Sequence, residues 1–157
     1  EGTVVQSPAT VPFLLMGGRR DGVIAASAVR YGDGDVASQS LVSRTFDESL
    51  VNSRDAVLVE WTDATHFTLA DPIDSTTARS FLDEEPGPAG DATRTLVAAT
   101  LIDFLRGHLL DDPAALARVT ALVEDPSAEV ARAARRTTPA VDTSPAETLV
   151  SATVGEE

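Results

Sequence analysis

The chain of 157 residues carries 25 acidic and 12 basic side chains, a net charge of −13, and no cysteine. Its length and its 43% apolar content allow one ordinary globular domain, and the lack of cysteine excludes disulfides, thiolate catalysis and cysteine-based zinc sites. Such an acidic surface repels phosphate groups and so disfavours nucleic acid and anionic membranes as partners, and no apolar run reaches the roughly 18 residues of a membrane span.

Two short apolar runs predict strands in the first half of the chain. Residues 11–16 (VPFLLM) end at a pair of glycines, and residues 55–61 (DAVLVEW) are rich in β-branched side chains. Continuous runs of this length are typical of strands that are buried on both faces, as in a parallel sheet. Residues 25–31 and 36–51 predict helices between these two strands.

The second half of the chain is predicted to be helical after a long connection. Residues 62–90 are polar and rich in turn-forming residues, and a connection of that length in a compact domain usually carries function. Residues 91–110 have the clearest helical periodicity of the chain, with Asp91 as a capping residue.

Three further helix starts follow, each marked by a capping residue and a proline. Asp112–Pro113 predicts one helix, and Asp125–Pro126 predicts another over residues 126–136. Ser144 and Glu147 have the spacing of a capping box and predict a last short helix.

The alternation of strands and helices predicts the α/β class, with a parallel sheet and crossover helices. Two strands are too few for such a sheet, and the chain opens on Glu1 rather than on methionine. We therefore expect the sequence to be the C-terminal part of a larger protein. Residues 1–111 are predicted to belong to its sheet domain, and residues 112–157 to form a helical, Ala-rich extension.

A carboxylate and an imidazole follow the two predicted strands. Asp21 lies in the Gly-rich turn after the first strand, and His66 lies in the loop after the second. Functional groups of open α/β sheets gather at the carboxyl ends of the strands, so parallel strands would bring both residues to the same edge. There Asp21 would accept the Nδ1 proton of His66 and leave Nε2 to act as a base.

These segments together resemble the C-terminal part of the α/β-hydrolase fold. The resemblance rests on "VPFLLMGGRRDGVI" followed by "AVLVEWTDATHF", covers residues 5–110 approximately, and is closest to esterases of the dienelactone hydrolase, chlorophyllase and platelet-activating-factor acetylhydrolase type. In that family the nucleophilic Ser precedes the acid and the acid precedes the His. The resemblance implies a serine hydrolase acting on a small carboxylic ester, with Asp21 and His66 as catalytic residues and with no metal or organic cofactor.

The chain departs from the family in one respect. The family's nucleophile lies in a G-x-S-x-G motif, and this sequence contains none. The nucleophile and the oxyanion hole are therefore expected in an N-terminal part of the same hydrolase. That N-terminal part is the expected protein partner of this chain. By itself the chain is expected to be inactive toward esters.

Structural explanations compete with these roles. Asp21 could simply cap the helix that follows it, and His66 could be an ordinary surface residue. His108 lies on the apolar face of the predicted helix 91–110 and is interpreted as structural. Asp33 and Asp35 are interpreted as parts of a solvated turn.

The remaining charged groups are assigned to the surface. Arg19 and Arg20 are interpreted as solvated, although the pair could attract an anionic substrate. A cluster of acids after His66 lacks the spacing of an EF-hand and is predicted to lie in a lid or rim loop. The cluster comprises Asp71, Asp74 and Asp83.

Two other functions stay open. The chain could be a helical binding module that uses the Ala-rich region from residue 112 as its interaction surface. It could also belong to another α/β fold of the flavodoxin or nucleotide-binding type, although it contains neither a P-loop nor a G-x-G-x-x-G motif.

Overall fold

A computed structural model of the chain describes residues 5–7, 11–31, 40–68 and 90–138. Strands and helices alternate through most of this part of the chain. The elements are β1 (Pro12–Gly18), α1 (Gly22–Tyr31), α2 (Leu41–Ser49), β2 (Asp55–Trp61), α3 (Gly90–Leu109), α4 (Pro113–Glu124) and β3 (Val130–Thr137).

The three strands form one mixed sheet in the order β1-β2-β3. β1 and β2 are parallel, with Pro12 opposite Asp55 and Gly18 opposite Trp61. β3 runs antiparallel to β2 along its other edge. Every residue of the central strand β2 is buried, as its continuous apolar sequence predicts. The predicted α/β class and the parallel pairing of the first two strands are confirmed.

Helices cover both faces of β2, because side chains along a strand point alternately to its two faces. Val57, Val59 and Trp61 belong to one core, which Val97 and Phe104 of α3 and Val119 of α4 complete. On the other face, a second core contains Ala56, Leu58, Phe46 and Leu50. β2 is thus held between two helical layers, and this fixes the position of the turn that follows it.

The predicted helix over residues 126–136 is wrong, because β3 occupies most of this segment. Ala and Arg favour a helix locally, but pairing with β2 overrides that preference. Arginine side chains of the strand also find acidic partners on neighbouring elements. Arg132 lies 3.2 Å from Asp47 of α2, and Arg135 lies 2.7 Å from Asp55 of β2.

α4 and β3 contribute side chains to the core of the sheet. Asp112 caps α4 as predicted, because its side chain accepts hydrogen bonds from the backbone N–H groups of Ala114 and Ala115. Val119 of α4 and Val130 of β3 pack in the same core as Val57. The helix predicted from Ser144 lies outside the described residues.

The other predicted elements agree with the structure except at their ends. The helix predicted over residues 91–110 is α3, and those predicted over 25–31 and 36–51 correspond to α1 and the shorter α2. Within the described part of the chain, no helix is long and apolar enough to span a membrane.

Candidate active site

The turns after β1 and β2 contact each other at the carboxyl edge of the parallel pair. The backbone N–H of Arg19 donates to the carbonyl of Trp61 at 2.9 Å, and that of Arg20 donates to the carbonyl of Ala64 at 3.1 Å. These bonds extend the strand pairing beyond β1 and β2. The sheet therefore brings the two segments that carry Asp21 and His66 into direct contact.

Gly18 allows this close approach. A Cβ atom at this position would lie 2.1 Å from the carbonyl oxygen of Ala64, well inside van der Waals contact. The clash would be with backbone rather than with a movable side chain. The glycine before Arg19 is therefore needed for the two turns to meet.

Asp21 binds two groups at once. Its Oδ1 accepts a hydrogen bond from the backbone N–H of Ile24 at 2.8 Å, in the first turn of α1. Its Oδ2 lies 3.0 Å from Nδ1 of His66. The helix cap and the contact with imidazole, which are alternatives at the level of sequence, therefore coexist in one carboxylate.

His66 lies in a short turn with its own internal bonds. The backbone N–H of Thr65 donates to Oγ1 of Thr68 at 2.7 Å, and Nε of Arg94 in α3 donates to the carbonyl of Thr68 at 2.9 Å. The ring of Phe67 meets the imidazole edge-on at a centroid distance of 5.2 Å. The turn thus holds the ring beside Asp21, whereas 40% of the His66 side chain stays exposed.

The charged groups nearest this pair lie at the surface. Arg19 is exposed, as predicted, and Arg20 has its Nη1 at 4.0 Å from Oδ1 of Asp63. Among the described residues, no group of three or more histidines and acids is placed to hold a metal ion. The other acids considered from the sequence lie outside the described residues: Asp33, Asp35, Asp71, Asp74 and Asp83.

His108 lies far from this edge, at the opposite end of β2. Its Nε2 is 3.3 Å from Oδ2 of Asp55, the first residue of β2, and its ring packs on Phe104 at 4.5 Å. Burial lowers the pKa of His108 below its usual value of 6.5, although the Asp55 carboxylate opposes this shift. Both oxygens of Asp55 accept hydrogen bonds from Arg135, at 2.9 and 2.7 Å.

Sequence reasoning missed a buried carboxylate near the site. Glu60, the residue before Trp61 in β2, is 1% exposed. Its Oε2 accepts a hydrogen bond from Ser43 at 2.5 Å, and its Oε1 accepts one from Ser40, the N-cap of α2. A lone acid within an apolar strand was the available signal. The bonds fasten the start of α2 to the carboxyl end of β2.

Comparison of the chain with protein-family models, with curated proteins and with solved structures finds no match. The geometry of the described residues therefore carries the functional argument.

Proposed function

We propose that this chain supplies the acid and the base of a Ser-Asp-His triad in a carboxylic ester hydrolase. The observation that carries the proposal is the 3.0 Å contact between Oδ2 of Asp21 and Nδ1 of His66. The contact lies at the carboxyl ends of two adjacent parallel strands, where functional groups of α/β sheets gather. The resemblance to α/β-hydrolases, with their order of Ser, acid and His, supports the same assignment.

The orientation of the imidazole suits a general base. With Nδ1 directed at Asp21, the proton of the neutral ring is held on that nitrogen, and Nε2 keeps its lone pair. In the proposed reaction, the Ser hydroxyl oxygen attacks the ester carbonyl carbon while Nε2 of His66 takes the hydroxyl proton. The same proton then passes from Nε2 to the departing alcohol, and water repeats the cycle on the acyl-enzyme.

Asp21 would stabilise the imidazolium that forms in each half-reaction. Its side chain is only 13% exposed, so protein atoms rather than water surround most of the carboxylate. Its other oxygen is fixed by the backbone of α1, which restricts the rotation of the carboxylate. Asp21 thus offers His66 a partner of fixed position, which is the function of the acid in such triads.

The nucleophile is proposed to come from a segment outside these residues. The sequence contains no G-x-S-x-G motif, in which the family presents its Ser on a sharp turn between strand and helix. The 157-residue chain should accordingly be inactive toward esters on its own. Ester turnover by the isolated chain that disappears in His66→Ala would contradict this part of the proposal.

The test uses the intact product of the parent gene. A fluorophosphonate probe should label one Ser upstream of Glu1, and His66→Ala should abolish the labelling because the Ser loses its base. Asp63→Ala is the matched control, since Asp63 lies three residues before His66 in the same segment and its side chain is 52% exposed. Labelling that is absent in the wild type, or unaffected by His66→Ala, would overturn the proposal and favour the binding module instead.

A further inference from the structure

A cleft of about 440 Å³ lies at the end of β2 opposite to the candidate active site. One wall is formed by the start of β2 and the end of β3, where the backbone N–H of Thr138 donates to the carbonyl of Arg54 at 3.0 Å. The other wall is formed by the C-terminal end of α3 and the start of α4, with His108, Asp111 and Leu116. Small-molecule sites typically have volumes of about 300–1,000 Å³, so the cleft is large enough for a small ligand.

The two walls meet at a contact between His108 and Asp55. Nε2 of His108 is buried and lies 3.3 Å from Oδ2 of Asp55. Both oxygens of Asp55 also accept hydrogen bonds from Arg135, which balances the charge of this carboxylate. Burial lowers the pKa of His108 below 6.5, so at pH 8 the imidazole adds no charge. The floor of the cleft is therefore polar but carries no net charge.

Two side chains of opposite charge line the cleft and have no ion-pair partner among the described residues. They are Arg54, on the wall formed by the sheet, and Asp111, on the wall formed by the helices. The charge of Arg54 acts within the cleft, because it contributes to the lowered pKa of His108. A positive and a negative group thus border the same space from different walls.

We infer that this cleft binds a small apolar α-amino acid in its zwitterionic form. The guanidinium of Arg54 pairs with the carboxylate of the ligand, because its planar fork of donors matches the two carboxylate oxygens. The carboxylate of Asp111 accepts hydrogen bonds from the ammonium group of the ligand. Pro12 and Leu116 supply apolar surface for the side chain of the ligand.

Ligands of a single charge fit the cleft less well. A metal ion needs several close donors, and no three of the described histidines and acids, Asp55, His108 and Asp111 included, are placed to hold one. A simple anion would meet the like charge of Asp111, and an organic cation would meet that of Arg54. A ligand that carries both charges suits both walls.

The experiment uses NMR of the full chain, which contains only two histidines. His66→Gln removes one imidazole signal and so identifies that of His108, which is then followed at pH 8 as L-leucine is added. Two analogues each lack one charge of L-leucine: 4-methylpentanoate has no ammonium group, and 3-methylbutylamine has no carboxylate. The analogues test the wild-type chain, so this comparison does not depend on the folding of any variant.

Arg54→Gln and Asp111→Asn each remove one charge from the cleft. Asp111 has a φ of 50°, in the left-handed region that Asn also adopts, so the backbone of this turn can be preserved. Arg19→Gln and Asp63→Asn are the matched controls, because both exposed side chains lie at the other end of the sheet.

L-leucine should shift the His108 signal to saturation, and its Kd should rise about tenfold in Arg54→Gln and in Asp111→Asn. Each analogue should bind about tenfold more weakly than L-leucine, and the two control variants should bind L-leucine as the wild type does. The absence of a saturable shift at millimolar L-leucine would overturn the inference. So would equal binding of 4-methylpentanoate, which would indicate an anion site, or an unchanged Kd in Asp111→Asn.

Discussion

Nδ1 of His66 lies 3.0 Å from Oδ2 of Asp21, although 45 residues of sequence separate them. The turns that carry the two residues are joined by backbone hydrogen bonds from Arg19 and Arg20. The sheet and these backbone bonds therefore hold the two residues side by side. This preformed geometry allows sharp tests of each supporting residue.

Replacing Asp21 with Asn separates its two roles. Asn caps helices about as well as Asp, so the bond to Ile24 can persist and the free energy of unfolding should change by less than about 0.5 kcal/mol. The amide cannot stabilise an imidazolium, so kcat of the proposed intact hydrolase should fall by about 10⁴-fold. Esterase assays and urea titrations of the same variant measure both effects.

Asp63→Asn, on the neighbouring turn, is the control for Asp21→Asn and should leave kcat within about twofold because Asp63 forms only an exposed ion pair. Full activity in Asp21→Asn would show that the carboxylate is a helix cap alone.

Gly18→Ala should lower the free energy of unfolding and displace His66 from Asp21. Its Cβ would clash with the backbone oxygen of Ala64, so the turn carrying His66 must move. We expect a loss of about 1–3 kcal/mol in the free energy of unfolding and slower fluorophosphonate labelling of the intact protein. Denaturant titration and the labelling rate are the measurements.

Gly17→Ala is the matched control for this change. Its Cβ would meet Cγ2 of Val42 at 2.7 Å, and that side chain can shift without moving backbone. It should therefore destabilise the protein less than Gly18→Ala and leave the labelling rate close to that of wild type. Equal effects of both substitutions would show that the contact with Ala64 has no special importance.

His108 should make stability depend on pH. Burial lowers its pKa in the folded chain below 6.5, so the unfolded chain binds more protons when the pH falls below about 7. The stabilising contribution is complete above that range and is lost as the pH falls through 6.5 toward the folded pKa. The slope is at most about 1.4 kcal/mol per pH unit.

His108→Gln should flatten this dependence between pH 7 and about pH 5.5, above the range in which ordinary carboxylates take up protons. The measurement is the free energy of unfolding of both proteins across that window. Parallel curves for wild type and variant would exclude a buried neutral imidazole at this position.

Glu60→Ala should be strongly destabilising. The substitution leaves the hydroxyls of Ser40 and Ser43 without their acceptor and opens a cavity beneath α2. A loss of about 2–4 kcal/mol in the free energy of unfolding is expected. Glu48→Ala is the control, because Glu48 forms a half-exposed pair with Arg44 and should contribute less than about 0.5 kcal/mol. Similar losses would mean that Glu60 is not a structural anchor.

The parts of the fold that could be predicted are those in which local pattern and final environment agree. β2 is buried on both faces, and its sequence is a nearly continuous apolar run. α4 begins at Pro113, as the capping residue Asp112 and the proline after it predict. β3 could not be predicted this way. Its sequence VARAARRT favours a helix, and the acids that hold Arg132 and Arg135 lie about eighty residues earlier in the chain.

Part of the candidate site could also be predicted. Parallel strands bring their carboxyl ends to one edge of a sheet, which predicts that Asp21 and His66 lie close together, and their contact is present. Their catalytic role stays a prediction. The lone acid in an apolar strand could mark Glu60 as unusual, but its bonds to Ser40 and Ser43 could not be predicted because those residues belong to a separate part of the chain.

The antiparallel pairing of β3 with β2 also determines at what point of its synthesis the chain can complete its sheet. Trp61 pairs with Val130 and Asp55 pairs with Thr137, so the central strand has both neighbours only after the last strand has been made. Contacts between such distant residues slow folding, and β2 presents an open apolar edge until they form. A ribosome that stalls between α3 and β3 would therefore hold a nascent chain prone to aggregation, and emergence of β3 would end that interval.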